Sequence, residues 1–256
     1  MYSFQAMDIR GIIFDKDGTL FNYAEVWGPV IRQYTDTILM TFSVKNEEEA
    51  RQRIYEIVGV DDKGNNYPDG FLFNHDKIVS IFFKILGFCI RNHISPFRMY
   101  QMLTRFLNSQ NRKVLDKLES MDFTPLQHLM QALMDRGIMI GLVTNDITAN
   151  TKAFLEMMGI DRYVRFLRTK ESNCRRKPSD ESIRQFSSLF GIDPMRIAIV
   201  GDSIVDMEYA KAGDVGYTVA VMTGYGKREV LEKYADVVYD KVEDLIDDPV
   251  LFPEVL

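Results

Sequence analysis

RGIIFDKDGTLFN, residues 10–22, is the stretch on which the reading of this chain turns. Ile12, Ile13 and Phe14 form a short apolar run of strand character. It ends in Asp15 and Asp17, one position apart, with Gly18 and Thr19 immediately after. Two like charges that close repel, and burying even one carboxylate without a partner is costly. A chain that puts both at the end of an apolar strand needs a compensating charge from elsewhere.

Working outward, the 256 residues suffice for one or two domains with a sizeable core. The balance of apolar and charged residues is ordinary for a globular protein, and no low-complexity tract or internal repeat interrupts it. A net charge of −6 argues against a general nucleic-acid footprint, which needs clustered Lys and Arg on a basic domain. A compact anionic substrate stays open, because it asks only for local positive charge. Cys89 and Cys174 lie far apart without metal-ligand spacing, and no signal-peptide pattern precedes Phe14, so the expected setting is reducing and cytoplasmic. The longest apolar stretch, IVSIFFKILGFCI at 78–90, contains Lys84 and is too short for a membrane span. It is expected to be a packed helix, and it is also the candidate contact if the chain is a homodimer rather than a monomer.

The C-terminal half alternates strand-like and helix-like segments. GIMIGLVT (137–144), YVRFLRT (163–169), RIAIVGD (196–202), GYTVAVMTG (216–224) and ADVVYD (235–240) read as strands. Between them fall ANTKAFLEMMG, a helix opening at Ser179 and closing at Gly191, and DMEYAKAG closing at Gly213. This pattern predicts an α/β fold with a mostly parallel sheet and helices on its faces, whose first strand is the distant N-terminal run. Residues 22–121 carry helix signals only, among them Asn46 as cap with Glu49 and Gly59, and Ser95 before Pro96. Thr124, Pro125 and Gln127 are expected to cap the helix that returns to the sheet. The reading is therefore a core of 1–21 and 122–256, with an all-helical domain, 22–121, inserted after the first strand.

Ligands in open parallel sheets bind beyond the carboxyl ends of the strands. There the pattern places Asp15 and Asp17, Thr144 and Asn145, and Asp202 with Asp206 four positions on, while Lys177 lies in the loop after the next strand. Several acids, a hydroxyl and an ammonium are thus expected in one crevice.

FDKDGTLF, LVTN, KPSDE and GDSIVDM, in that order and with a helical insertion after the first, resemble the motifs of the haloacid dehalogenase superfamily of phosphatases and phosphotransferases. The resemblance spans nearly the whole chain and implies a Rossmann-like core with a helical cap at 22–121. It further implies that Asp15 is a nucleophile forming an aspartyl phosphate and that Asp17 is the general acid and base. Mg²⁺ would be held by the Asp15 carboxylate, the Asp17 carbonyl and Asp202, with Asp206 a direct or water-mediated ligand. Gly18, Thr144 and Asn145 would meet the phosphate, and Lys177 would offset charge on the nucleophile. The second acid of DKD points to phosphate-ester chemistry, since family members that cleave carbon–halogen or phosphonate bonds lack it. The implied function is Mg²⁺-dependent hydrolysis of a small phosphorylated metabolite. A sugar-phosphate mutase on the same machinery, or a catalytically silent binding or regulatory protein on the same fold, are the alternatives. VGVDDKGNNYPDG (58–70) loosely resembles the cap of phosphoglycolate phosphatase-like members, while Asn22 and the Ser of GDS depart from the usual pattern and leave the substrate open.

Overall fold

A computed structural model describes residues 8–59, 61, 67 and 78–253. In chain order the elements are β1 (Gly11–Phe14), α1 (Tyr23–Phe42), α2 (Glu47–Val58), α3 (Ile78–Arg91), α4 (Pro96–Glu119), α5 (Thr124–Asp135), β2 (Met139–Val143) and α6 (Thr148–Met157). They continue as β3 (Phe166–Arg168), α7 (Glu181–Phe190), β4 (Ile197–Gly201), α8 (Ile204–Ala212), β5 (Tyr217–Val221), α9 (Arg228–Leu231) and β6 (Val237–Tyr239). The chain divides into two compact units: Met1–Tyr23 with Glu119–Leu256, and Ala24–Leu118.

The first unit is built on one parallel sheet in the order β3-β2-β1-β4-β5-β6. All of β1, β4 and β5 is buried. Because successive side chains point to opposite faces, a strand buried throughout must be covered on both. On the face reached by Ile13, helices α7 and α8 supply Ile183, Phe186, Tyr209 and Ala210 to a core with Phe166, Ile197 and Ile199. The chain order reverses at β1, which pairs with β2 on one side and β4 on the other, and a crevice forms at such a reversal. Registers Phe14↔Leu142 and Phe14↔Val200 carry Asp15, Thr144 and Asp202 to the same sheet edge.

The second unit, among the described residues, is helical. In α2, Asn46 Oδ1 accepts from the Glu49 N–H and Gly59 takes a left-handed conformation (φ 108°), so both ends follow the capping chemistry expected of them. One core joins Ile38, Leu39, Ile54, Phe88, Cys89 and Met99. The sequence 58–70 lies largely outside the described residues.

Two expectations are corrected, and a third is met in part. Helix α3 packs as expected but on one side only, through Ile81, Phe88 and Cys89, and leaves Val79, Phe82, Phe83 and Ile90 exposed. Its polar and small residues Ser80, Lys84, Gly87 and Arg91 share one narrow stripe, and the apolar arc left over is wider than the face that packs. Helix α5 begins at Thr124 rather than after it, and Asp122 Oδ1 accepts from the Thr124 N–H at 2.9 Å. Helix α7 begins at Glu181 with Asp180 at the cap position, two residues later than a start at Ser179. No helix among the described residues is long and apolar enough to cross a membrane.

Candidate active site

Asp15 follows directly on β1, and its N–H extends the ladder by donating to the Val200 carbonyl at 2.9 Å. Asp202 follows β4, and Asp206 lies in the first turn of α8. One carboxylate oxygen from each of Asp15, Asp202 and Asp206 falls within 4.8 Å of the others. Lys177 reaches the same point, with its Nζ 2.5 Å from Asp15 Oδ1 and 2.6 Å from Asp206 Oδ1, and only 4% of its side chain exposed.

Asp206 and Asp202 are also held from behind. Asp206 Oδ2 accepts from the Ser203 N–H at 3.1 Å and the Ser203 hydroxyl at 2.6 Å, so a helix cap fixes the carboxylate and leaves Oδ1 for Lys177. Asp202 Oδ1 accepts from the Thr19 hydroxyl at 3.2 Å, and its Oδ2 from the Tyr225 N–H at 3.0 Å. Gly224 permits that approach, because a Cβ there would lie 1.8 Å from Asp202 Oδ2. Gly18 has φ +85°, and a Cβ on it would meet the Gly224 Cα at 2.7 Å. Its role in the fold is thus to let two loops touch, and its carbonyl accepts from the Thr223 hydroxyl.

The electrostatics follow from burial. Asp15 is pushed up to about 6 by burial and by repulsion from Asp206 and Asp17, with Lys177 opposing. Asp202, 2% exposed, is pushed well above the usual carboxylate range by burial and by Asp206 and Asp15. Burial would lower Lys177, but Asp15 and Asp206 overcome it and hold the lysine above its ordinary value. Three clustered carboxylates against one ammonium leave an excess of negative charge in a closed site. All the side-chain donors are oxygens, and hard divalent cations fit such a set.

Asp17 is joined to a different cation. Its Oδ2 lies 2.7 Å from the Nζ of Lys16, which also lies 3.1 Å from Asp146 Oδ2. The Thr144 hydroxyl is buried and accepts from the Asp146 N–H at 3.1 Å, while Asn145 beside it is exposed. Contacts therefore unite Asp15, Lys177, Asp202 and Asp206 in one cluster. Asp17 and Thr144 belong to an adjoining set through Lys16 and Asp146. Sequence reasoning did not pick out Lys16, Thr19, Asp146, Ser203 or Tyr225. The glycine-bearing TGYG at 223–226, just beyond β5, was a signal for the loop that holds Asp202.

A model of the haloacid dehalogenase-like hydrolase family matches residues 9–214. The chain belongs to that family. Among curated relatives of this haloacid dehalogenase-like hydrolase is a phosphoglycolate phosphatase of Shigella boydii serotype 4 (strain Sb227), 24% identical over 93% of this chain and 92% of the relative. A glyceraldehyde 3-phosphate phosphatase of Methanocaldococcus jannaschii is 25% identical over 93% of this chain and 96% of its own. In fold, the hydrolase is similar to a predicted phosphoglycolate phosphatase from Haemophilus somnus 129pt, with a TM-score of 0.64 at 18% identity over 94% of this chain and 97% of that one. The sheet edge of the hydrolase thus carries an acid cluster suited to a cation, on a family fold whose curated relatives include phosphatases.

Proposed function

We propose that this hydrolase is a Mg²⁺-dependent phosphatase that cleaves a small phosphate monoester through an aspartyl phosphate on Asp15. The observation that carries the reading is the buried bridge of Lys177 between Asp15 and Asp206, beside Asp202, at the switch point of the sheet. In the first step a carboxylate oxygen of Asp15 forms a bond to phosphorus as the ester P–O bond breaks, and Asp17 gives its proton to the departing oxygen. Lys177 holds Asp15 in place and balances charge accumulating on the transferring group. In the second step water attacks phosphorus, Asp17 takes its proton, inorganic phosphate leaves and Asp15 is restored.

Asp15, the Asp17 carbonyl and Asp202 would hold the Mg²⁺, with Asp206 direct or through water. When bound, the ion supplies the positive charge that lets an anionic nucleophile and an anionic ester approach each other. Thr144 and Asn145 are assigned to phosphate contact, beside the open backbone of Gly18. The names of the two curated relatives share a substrate class, a small phosphorylated metabolite, and that class is carried over here. The Ala24–Leu118 unit is read as the family's helical cap. A cytoplasmic location agrees with the free thiols of Cys89 and Cys174.

The test is a panel of phosphorylated metabolites, phosphoglycolate and glyceraldehyde 3-phosphate included, assayed for phosphate release with Mg²⁺ and with chelator. Metal-dependent release from at least one monoester supports the reading. Release that survives chelation, or isomer formation without phosphate, contradicts it.

A further inference from the structure

Lys16 is the residue between the two acids of the first motif, and its placement is unusual for a lysine. Its side chain is 0% exposed. On its polar side the ammonium meets Asp17 Oδ2 and Asp146 Oδ2, at 2.7 and 3.1 Å. On its apolar side it lies 4.0 Å from the ring centroid of Phe154 and 5.9 Å from that of Phe21, both rings buried. Enclosing a lysine costs several kcal/mol unless its charge is met, and two carboxylates and two ring faces meet it here. A solvated lysine would serve a surface turn equally well, so the geometry asks what the enclosure achieves.

Two consequences follow from the contacts. The first concerns Asp17, whose Oδ2 is ion-paired at 2.7 Å, without hydrogen-bond geometry, to an ammonium that cannot accept a proton, while its Oδ1 is buried with no hydrogen-bond partner among the described residues. The second concerns Asp146, whose N–H donates to the Thr144 hydroxyl, so one ammonium ties the loop after β1 to the loop after β2. We propose that Lys16 is a positioning residue for proton transfer: by gripping Oδ2 it fixes the rotation of the Asp17 carboxyl and assigns the transferred proton to Oδ1. In the forward step the proton on Oδ1 moves to the ester oxygen as the P–O bond breaks, and the electron pair of that bond stays with the leaving oxygen. Oδ1 then accepts a proton from the attacking water.

The inference rests on the phosphatase reading, and leaving groups separate the two. An alkoxide needs a proton in order to leave, whereas p-nitrophenolate leaves without one. kcat/KM reports the step in which the leaving group departs from the ester. Lys16→Met, close in shape and suited to the space between the rings, is compared with wild type, Asp17→Asn and Asp15→Asn. The substrates are p-nitrophenyl phosphate and the alkyl monoester hydrolysed fastest in the panel. For Lys16→Met, kcat/KM should fall roughly 100-fold with the alkyl ester and by less than about 3-fold with p-nitrophenyl phosphate, the pattern of lost acid catalysis. Asp17→Asn should show the same selectivity more strongly. Equal losses on both substrates, as a structural role gives, or no loss on either, would overturn the role of Lys16. Undiminished hydrolysis by Asp15→Asn would instead overturn the phosphatase reading. Should Lys16→Met not fold, Asp146→Asn decides, because it removes one anchor of the ammonium at a partly exposed position. It should give the same selectivity at several-fold, and its absence refutes the proposal.

Discussion

Two lysines at one sheet edge each sit between two aspartates, and the surroundings make them different devices. Lys177 joins Asp15 and Asp206 in a closed site, where Asp202 adds a third carboxylate. Lys16 joins Asp17 and Asp146, whose side chains stay 27% and 24% exposed, so water screens part of their charge. Both clusters hold more carboxylates than ammonium, three against one and two against one, but the first keeps its excess where little solvent reaches it. Burial, rather than the number of acids, therefore locates the demand for a divalent cation, and it locates it at Asp15.

The sharpest way to break this contrast is Asp15→Asn. It should lower kcat/KM by roughly 10⁴-fold or more, because it removes the nucleophile, and steady-state phosphate release measures it. The same substitution should make the metal-free protein more resistant to denaturant, since it takes one charge from a crowded buried set. Next in size is Lys177→Met, which leaves buried carboxylates without their cation. It should cost about 3–5 kcal/mol in urea unfolding, against less than about 1 kcal/mol for Asp146→Asn at the more open cluster.

Gly224→Ala sharpens the contrast from the backbone side. The added methyl would intrude on Asp202 Oδ2, so Mg²⁺ affinity by calorimetry should weaken about 10–100-fold while the sheet stays intact.

The smallest effect is in pH. Asp15 rises from 3.8 to about 6 on folding, so it binds its proton more tightly in the native state. Without metal, its stabilising contribution is full below 3.8 and is lost as pH rises through about 6. Metal binding must displace that proton, so the Tm increase on adding Mg²⁺ should be several degrees at about pH 7.5 and much smaller at about pH 5.

The sequence made the sheet and the acid cluster legible for a physical reason. Each strand is a short apolar run closed by a polar residue, and parallel pairing carries those closing residues to one edge, as Phe14↔Leu142 and Phe14↔Val200 do. What stayed hidden depends on partners distant in sequence. A lysine between two aspartates reads as a solvated turn, and it is Phe154 on the distant α6, together with Phe21, that encloses Lys16. Asp206 is legible as a site residue in GDSIVDM, whereas the hold of Ser203 on its Oδ2 is not. In α3 the apolar arc opposite Ser80, Lys84, Gly87 and Arg91 is wider than one packed face, so the pattern does not show which part of it, Phe82 and Phe83 included, stays exposed.

The account depends on a carboxylate made able, within a buried cluster of like charges, to take a phosphoryl group. The most direct measurement is to quench the enzyme during turnover, reduce any acyl phosphate with borohydride and map the chain by mass spectrometry. Conversion of residue 15 to homoserine, dependent on both substrate and Mg²⁺, is the predicted result. Reduction at another residue, or none while phosphate is being released, contradicts it.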